Sequence, residues 1–274
     1  MTYFLNSIKY FFLKIILRRK FLNVRDKNYG LFFKVEIHDA MGRKIFKRGS
    51  LHPEHTAFLS ALPFSDGDVI LDIGANIGWY SLVLKKSIPK DVTIYAFEPE
   101  PFNYQLLKNN IEVNQVEGIN AVNKAVAEHN GTSTLFLYHK KNSGRHSLLD
   151  VNPQTNRSIG VETVNLESFL KSKNVNFNNV RLIKIDIEGY ELFAFRGAIE
   201  LLNTVPYIFL EFSPALIRQA GEDPLKFVQW LSNFGFNFYK VNGSSFSAST
   251  IDQVMLTDQT QDLFLVKKSA DTLA

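Results

Sequence analysis

The chain reads as an α/β protein built on a mostly parallel sheet with helices on both faces. Three observations predict this. Stretches 69–73, 180–187 and 207–212 are almost continuously apolar and alternate with amphipathic helical stretches, the pattern of strands buried on both sides. The run Val69 to Ile73 turns on Gly74 and Gly78 and opens straight into an apolar segment from Trp79 to Leu84, so strand, glycine loop and helix follow one another. Finally, 274 residues with 45% apolar and 21% charged side chains supply one large core.

Residues 1–65 are expected to form a basic appendage of helix and β-hairpin, and 66–268 the main domain. Of the 31 Lys/Arg and 27 Asp/Glu, 12 and 3 respectively lie within residues 1–48, which leaves that segment at +9 and the remainder at −5. Residues 3–22 have a helical pattern interrupted by Lys9 and Lys14 and closed by Arg18, Arg19 and Lys20. Their apolar runs fall far short of the ~20 residues a spanning helix needs, and no small-residue cleavage site follows. Residues 1–22 suit contact with an anionic membrane surface, or packing on the domain or a partner subunit. In 31–49, Phe33, Val35 and Ile37 alternate with Lys34 and Glu36, Met41-Gly42 suits a turn, and 44–47 suits the return strand. Pro53 begins a short helix to Leu62.

Strand 69–73 then leads to helix 78–87, strand 92–97 to helix 101–114, and strands are expected over 119–126 and 133–139 around the turn Asn130-Gly131. The polar, Ser/Asn-rich stretch 140–160 reads as a mobile loop. A short helix spans 166–173. Strand 180–187 leads to helix 189–202, strand 207–212 to helix 224–234, and strands 236–241 and 262–268 close the chain.

The absence of cysteine excludes disulfides, thiolate nucleophiles and Cys-based metal sites. It fits a reducing compartment, so the expected location is cytoplasmic, peripheral to a membrane if residues 1–22 touch one. The net negative main body argues against a nucleic-acid surface.

In open α/β sheets ligands bind at the carboxyl ends of the strands, where Asp72, Glu98, Asn123, Asp186, Glu188 and Glu211 stand. Glu98 follows Gly74 by 24 residues, the position from which a ribose is gripped. The loop Gly74-Ala75-Asn76-Ile77-Gly78 has Asn76 where a dinucleotide fingerprint needs glycine for close pyrophosphate approach, and Asp72 would repel a pyrophosphate. Both shift the choice from NAD toward S-adenosylmethionine, whose amino-acid part is cationic. Glu191 reads as solvated or paired with Arg196. The histidines show no metal spacing. His146, in Ser143-Gly144-Arg145-His146-Ser147, is placed where a loop could close over an acceptor.

Residues 69–82 resemble motif I of the FkbM-type S-adenosylmethionine-dependent methyltransferases. Phe97-Glu98-Pro99-Glu100-Pro101, the segment from Leu182 to Glu191 with Arg196-Gly197-Ala198, and 207–212 resemble further segments of that family in the same order. The resemblance covers about 66–242. It implies the class I, Rossmann-like methyltransferase sheet, seven-stranded with an antiparallel last strand, and O-methylation of a hydroxyl on a sugar, glycan or glycosylated small molecule. It implies that Asp72, Gly74, Asn76 and Gly78 wrap the methionine part of S-adenosylmethionine, that Glu98 binds ribose, that Asn123 lies near adenine, and that Asp186 borders the methyl group. Asp186, Glu188 and His146 become the catalytic candidates. Asp186 or Glu188 would take the acceptor proton or hold a divalent cation, although no dedicated metal site is expected. The rival reading is a binding or scaffold protein with a vestigial cofactor site, docking through its basic N-terminal segment.

Overall fold

The computed structural model describes residues 2–138, 143–150, 157–243 and 245–270. Helix α1 (Thr2–Phe11) continues into a wider-wound turn, Phe12–Ile16. Strands β1 (Phe21–Arg25) and β2 (Phe32–Glu36) form an antiparallel pair, Leu22 opposite Val35. Residues 40–48 are helix α2 (Ala40–Arg48), not the return strand of a hairpin. Asp39 decides this: its carboxylate accepts from the Met41 and Gly42 amides at 2.7 and 3.1 Å, and Gly49 ends the helix in a left-handed conformation. The partner that β2 was expected to find after it in the chain lies before it.

Helix α3 (Pro53–Ser60) leads to β3 (Val69–Ile73), α4 (Trp79–Ser87), β4 (Thr93–Phe97), α5 (Pro101–Asn114) and β5 (Ile119–Val122). The expected strand over 119–126 is divided: β5 stays in the main sheet, while β6 (Ala125–Val126) joins β7 (Gly131–Phe136) and β8 (Ser158–Val164) in a three-stranded sheet of order β6-β8-β7. Within the expected loop 140–160, residues 139–142 and 151–156 lie outside the described residues, a short helical turn spans Ser143–Arg145, and β8 already begins at Ser158.

Helix α6 (Leu166–Ser172) precedes β9 (Val180–Ile185), and the helix expected over 189–202 is two, α7 (Glu191–Arg196) and α8 (Ile199–Thr204). The break falls at Gly197, where a Cβ would stand 2.7 Å from the Asn165 amide and 2.9 Å from the Ala127 carbonyl. Then follow β10 (Tyr207–Phe212), α9 (Pro214–Gln219), α10 (Pro224–Asn233), β11 (Phe236–Asn242), β12 (Ser245–Ser249), α11 (Ile251–Val254) and β13 (Gln261–Lys267).

The main sheet runs β12-β11-β13-β10-β9-β3-β4-β5. Strands β10, β9, β3, β4 and β5 are parallel, and β13, last in the chain, is antiparallel to both neighbours. This is the expected seven-stranded arrangement with β12 added at one edge as an eighth. From β3 the chain goes outward to β4 and β5, then returns to the other side of β3 as β9. That reversal at β3/β9 opens a crevice at the strands' carboxyl ends.

The appendage is not a separate body. Leu22, Phe33, Val35 and Ile45 share a buried cluster with Ile77, Trp79 and Leu82, and the Asn110 side chain links β2 to the glycine loop by bonding Lys34 and the Ile77 carbonyl.

Candidate functional site

A crevice enclosing about 800 Å³ of empty space, part of it open to solvent, lies at the reversal point, walled by the glycine loop, the end of β4, β6, the 144–148 turn and the segment after β9. Gly74, Asn76, Glu98, His146 and Asp186 all line it; Asp72, Gly78, Asn123 and Glu188 do not.

The glycine loop is held tightly. Gly74 and Ala75 donate their amides to the Phe97 carbonyl at 3.0 and 2.9 Å. Gly74 has φ +79°, and a Cβ there would stand 2.0 Å from the Asp186 carbonyl oxygen, so this position needs glycine twice over. Gly78, at φ +85°, caps α4 and packs against Leu107.

Glu98 is buried at the end of β4. Its carboxylate accepts from the Asn76 and Glu100 amides, both at 2.9 Å. Burial pushes its pKa up to about 8 against these amides, which favour the charged form. Asn123 acts behind it: its side-chain amide donates to the Glu98 and Pro99 carbonyls at 2.9 and 3.1 Å and fixes the turn that carries the carboxylate. The Trp79 indole N–H, buried beside the cavity, finds no acceptor among the described residues.

Asp72 points elsewhere. It is fully buried on the sheet face toward α4, accepting from the Ser81 hydroxyl at 2.6 Å and facing the Lys184 ammonium at 3.4 Å. Lys184 is opposite Asp72 in the β3/β9 register. It also donates to the Gly74 carbonyl at 3.1 Å and lies 3.8 Å from Asp186. Burial alone would lower its pKa, but Asp72, Asp186 and Glu211 outweigh burial and raise it. Sequence reasoning missed Lys184. The available signal was a lysine inside an otherwise apolar run, two residues before Asp186, and therefore on the same strand face.

Asp186, Glu188 and Glu211 converge, each offering an oxygen within 4.8 Å of the others. Glu211 is held well above the usual carboxylate range, first by the Asp186 charge and then by burial, and it is hydrogen-bonded to Asp186. Glu188, in a left-handed conformation, is raised to about 7 by burial and then by Asp186, while Arg145 lies 3.4 Å away. Three carboxylates this close are the ligand type that suits a hard divalent cation. His52, Glu54 and His55 form a second compact set; His55 Nδ1 is 3.3 Å from the Tyr80 hydroxyl and its Nε2 is 3.9 Å from Asp262.

Two expectations change in detail. Glu191 is neither solvated nor paired with Arg196: it is buried and accepts from the Ile187 and Gly189 amides at 3.0 and 3.2 Å, while Arg196 pairs with Glu222. His146 lines the cavity, but its Nδ1 accepts from the Tyr138 amide at 3.0 Å, and burial lowers its pKa to about 4. It stands there as a neutral, weakly basic imidazole with Nε2 as its remaining polar atom.

Strand order, crevice and strand-end carboxylates define a Rossmann-like fold of the class I methyltransferase type. The sequence model of the methyltransferase FkbM domain matches residues 72–238. The chain belongs to that family, and the cofactor that membership carries is S-adenosylmethionine. Among similar proteins, Methyltransferase 1 of Beauveria bassiana is 30% identical over 49% of this chain and 60% of its own. The hexuronic acid methyltransferase AglP of Haloferax volcanii is 24% identical over 61% of this chain and 62% of its own. The chain thus spans about three-fifths of the length of these relatives. The crystal structure of methyltransferase FkbM from Methylobacillus flagellatus matches with a TM-score of 0.50 and 18% identity, over 80% of this chain and 49% of that one, a likeness of fold alone.

Proposed function

We propose that the protein is an S-adenosylmethionine-dependent O-methyltransferase acting on a hydroxyl of a sugar, glycan or glycosylated small molecule. The observation that carries this reading is Glu98, a buried carboxylate at the end of the second strand, facing the same cavity as Gly74, Asn76 and Asp186. The cavity fits the cofactor's chemistry: a carboxylate suits a ribose diol, and the Trp79 N–H offers an unused donor. The hexuronic acid named for one relative offers only oxygen nucleophiles, which favours O-methylation.

S-adenosylmethionine, when bound, supplies an electrophilic methyl group on a sulfonium. Glu98 would accept hydrogen bonds from the ribose hydroxyls, and the Gly74–Gly78 loop would hold the methionine end. The Lys184 ammonium lies 3.8 Å from Asp186, and Glu211 is hydrogen-bonded to Asp186 from the next strand. Asp186 would take the proton of the acceptor hydroxyl that receives the methyl group and pass it to solvent. Glu188 shapes the acceptor side through Arg145. Alignment supplies most of the rate gain, so a strong base is unnecessary.

Calorimetry with S-adenosylmethionine tests the pocket, and mass spectrometry of a panel of sugars and glycans tests the acceptor. Glu98→Ala is expected to weaken cofactor binding by about 1.5–3 kcal/mol, the scale of hydrogen bonds to a charged group. Wild-type affinity in Glu98→Ala would refute the pocket assignment. A wild-type protein that binds neither S-adenosylmethionine nor S-adenosylhomocysteine would favour the scaffold reading.

A further inference from the structure

We propose that the outward face of α1 and the turn Phe12–Ile16 docks the protein on an anionic lipid surface. This inference is independent of the methyltransferase reading. The helix is mounted with Asn6 and Tyr10 turned inward. The buried Tyr10 hydroxyl donates to the Ile37 carbonyl, and Asn6 donates to the Phe46 and Lys47 carbonyls, both at 3.3 Å. The Lys14 ammonium lies back over the Tyr10 ring. The opposite side carries Leu5, Ile8, Phe11, Phe12, Ile15 and Ile16, which are 49–61% exposed. Seven of the twelve large apolar side chains exposed among the described residues fall within residues 5–17. Scattered exposed apolar residues are ordinary; a contiguous set on one mounted helix marks a contact surface.

Charge selects the occupant. Lys9, Arg18, Arg19 and Lys20 are exposed around the apolar face, and residues 2–25 contain no Asp or Glu. A symmetric contact between two copies through this face would bring like charges together with no local acid to offset them. A layer of anionic headgroups supplies the missing charge, and the acyl boundary accepts the apolar side chains. No described helix is long and apolar enough to cross a membrane, so the contact is interfacial.

The test is co-sedimentation of the full chain with phosphatidylcholine vesicles, with and without phosphatidylglycerol. The expected result is binding to the phosphatidylglycerol vesicles that weakens as salt is raised. The double variant Ile8→Glu/Phe12→Glu should reduce the partition coefficient by at least about tenfold. Arg18→Glu/Arg19→Glu should lose at least about fivefold per residue. All four side chains are exposed, so thermal melts and S-adenosylmethionine affinity should stay at wild-type values. Should the apolar variant fail to fold, the arginine variant still decides. No vesicle binding by the wild type, or equal binding by a folded variant, would overturn the proposal. So would a solution dimer that Ile8→Glu dissociates, which would assign the face to a second copy.

Discussion

Replacing Lys184 by methionine should be among the most damaging single changes in the sheet. Its ammonium is the positive charge 3.4 Å from the fully buried Asp72, and Lys184 itself is only 3% exposed. The substitution keeps most of the stem volume, so little of the loss comes from packing. Asp72 would retain the Ser81 hydroxyl but lose its counter-charge, and the Gly74 carbonyl would lose a donor. Removing one member of a buried pair costs roughly 3–5 kcal/mol, a large fraction of the ~5–15 kcal/mol that holds a domain folded. Urea unfolding followed by circular dichroism, with the slope checked for constancy, measures it. The decisive comparison is the double variant Asp72→Asn/Lys184→Met. It removes both charges and should recover most of the loss, because the cost lies in the stranded carboxylate and not in the pair itself. A single variant within about 1 kcal/mol of wild type, or a double variant as unstable as the two singles summed, would refute this account.

Cofactor affinity should rise with pH. Glu98 has its pKa raised to about 8 and accepts ribose hydroxyls best when ionised, so calorimetry from pH 6.5 to 8.5 should show a gain of about tenfold, absent in Glu98→Gln. The ligand-free protein should show the opposite trend. A folded pKa above the unfolded value near 4.5 means that Glu98 contributes stability fully below that value and loses it as pH rises through about 8; urea midpoints should fall over that window, less so in Glu98→Gln. Gly74→Ala should abolish detectable cofactor binding and lower the melting temperature, because its Cβ would meet the Asp186 carbonyl at 2.0 Å. Dialysis against a chelator should leave methyl transfer unchanged; a loss reversed by magnesium would assign a metal to Asp186, Glu188 and Glu211.

The parallel sheet was legible because each of its central strands is a nearly unbroken apolar run, and such runs have few other uses. The glycine turn was legible for a related reason: Gly74 answers to a backbone contact that only glycine permits. What escaped the sequence depends on pairing across the chain. Asp72 stands beside a glycine loop in sequence, yet its side chain faces Ser81 and Lys184 on the far side of that loop. Strand alternation could place Asp72 on a face, but not say which helix covers it. The misread hairpin at 31–49 has a local cause. Apolar alternation in 33–37 is real, but β2 takes its partner from 21–25, and the Asp39 cap commits the following residues to a helix. Glu191 looked exposed by helical spacing; it is buried because α7 starts just beneath the loop whose amides it binds.

The acceptor is unreadable from the sequence for a structural reason. The family match begins at residue 72, but Met41 and Leu51 reach the cavity from outside it. His52, whose pKa burial lowers to about 4, lies close enough to Asp186 to feel its charge. His55 bonds Tyr80, another lining residue, and approaches Asp262 on the last strand. Met41 of α2 and Leu51 of the turn before α3 thus add to the cavity wall from outside the matched domain. Those elements are held in place by the core that the appendage shares with α4 and α5. Substitutions at Met41, Leu51 or His52 should therefore change which acceptor is methylated, or how tightly it is held, while leaving cofactor affinity within about twofold, the usual scatter for a change that touches no cofactor contact. Competition between acceptors under single-turnover conditions would show it. A parallel loss of cofactor binding would instead place these residues in the methyl-donor half.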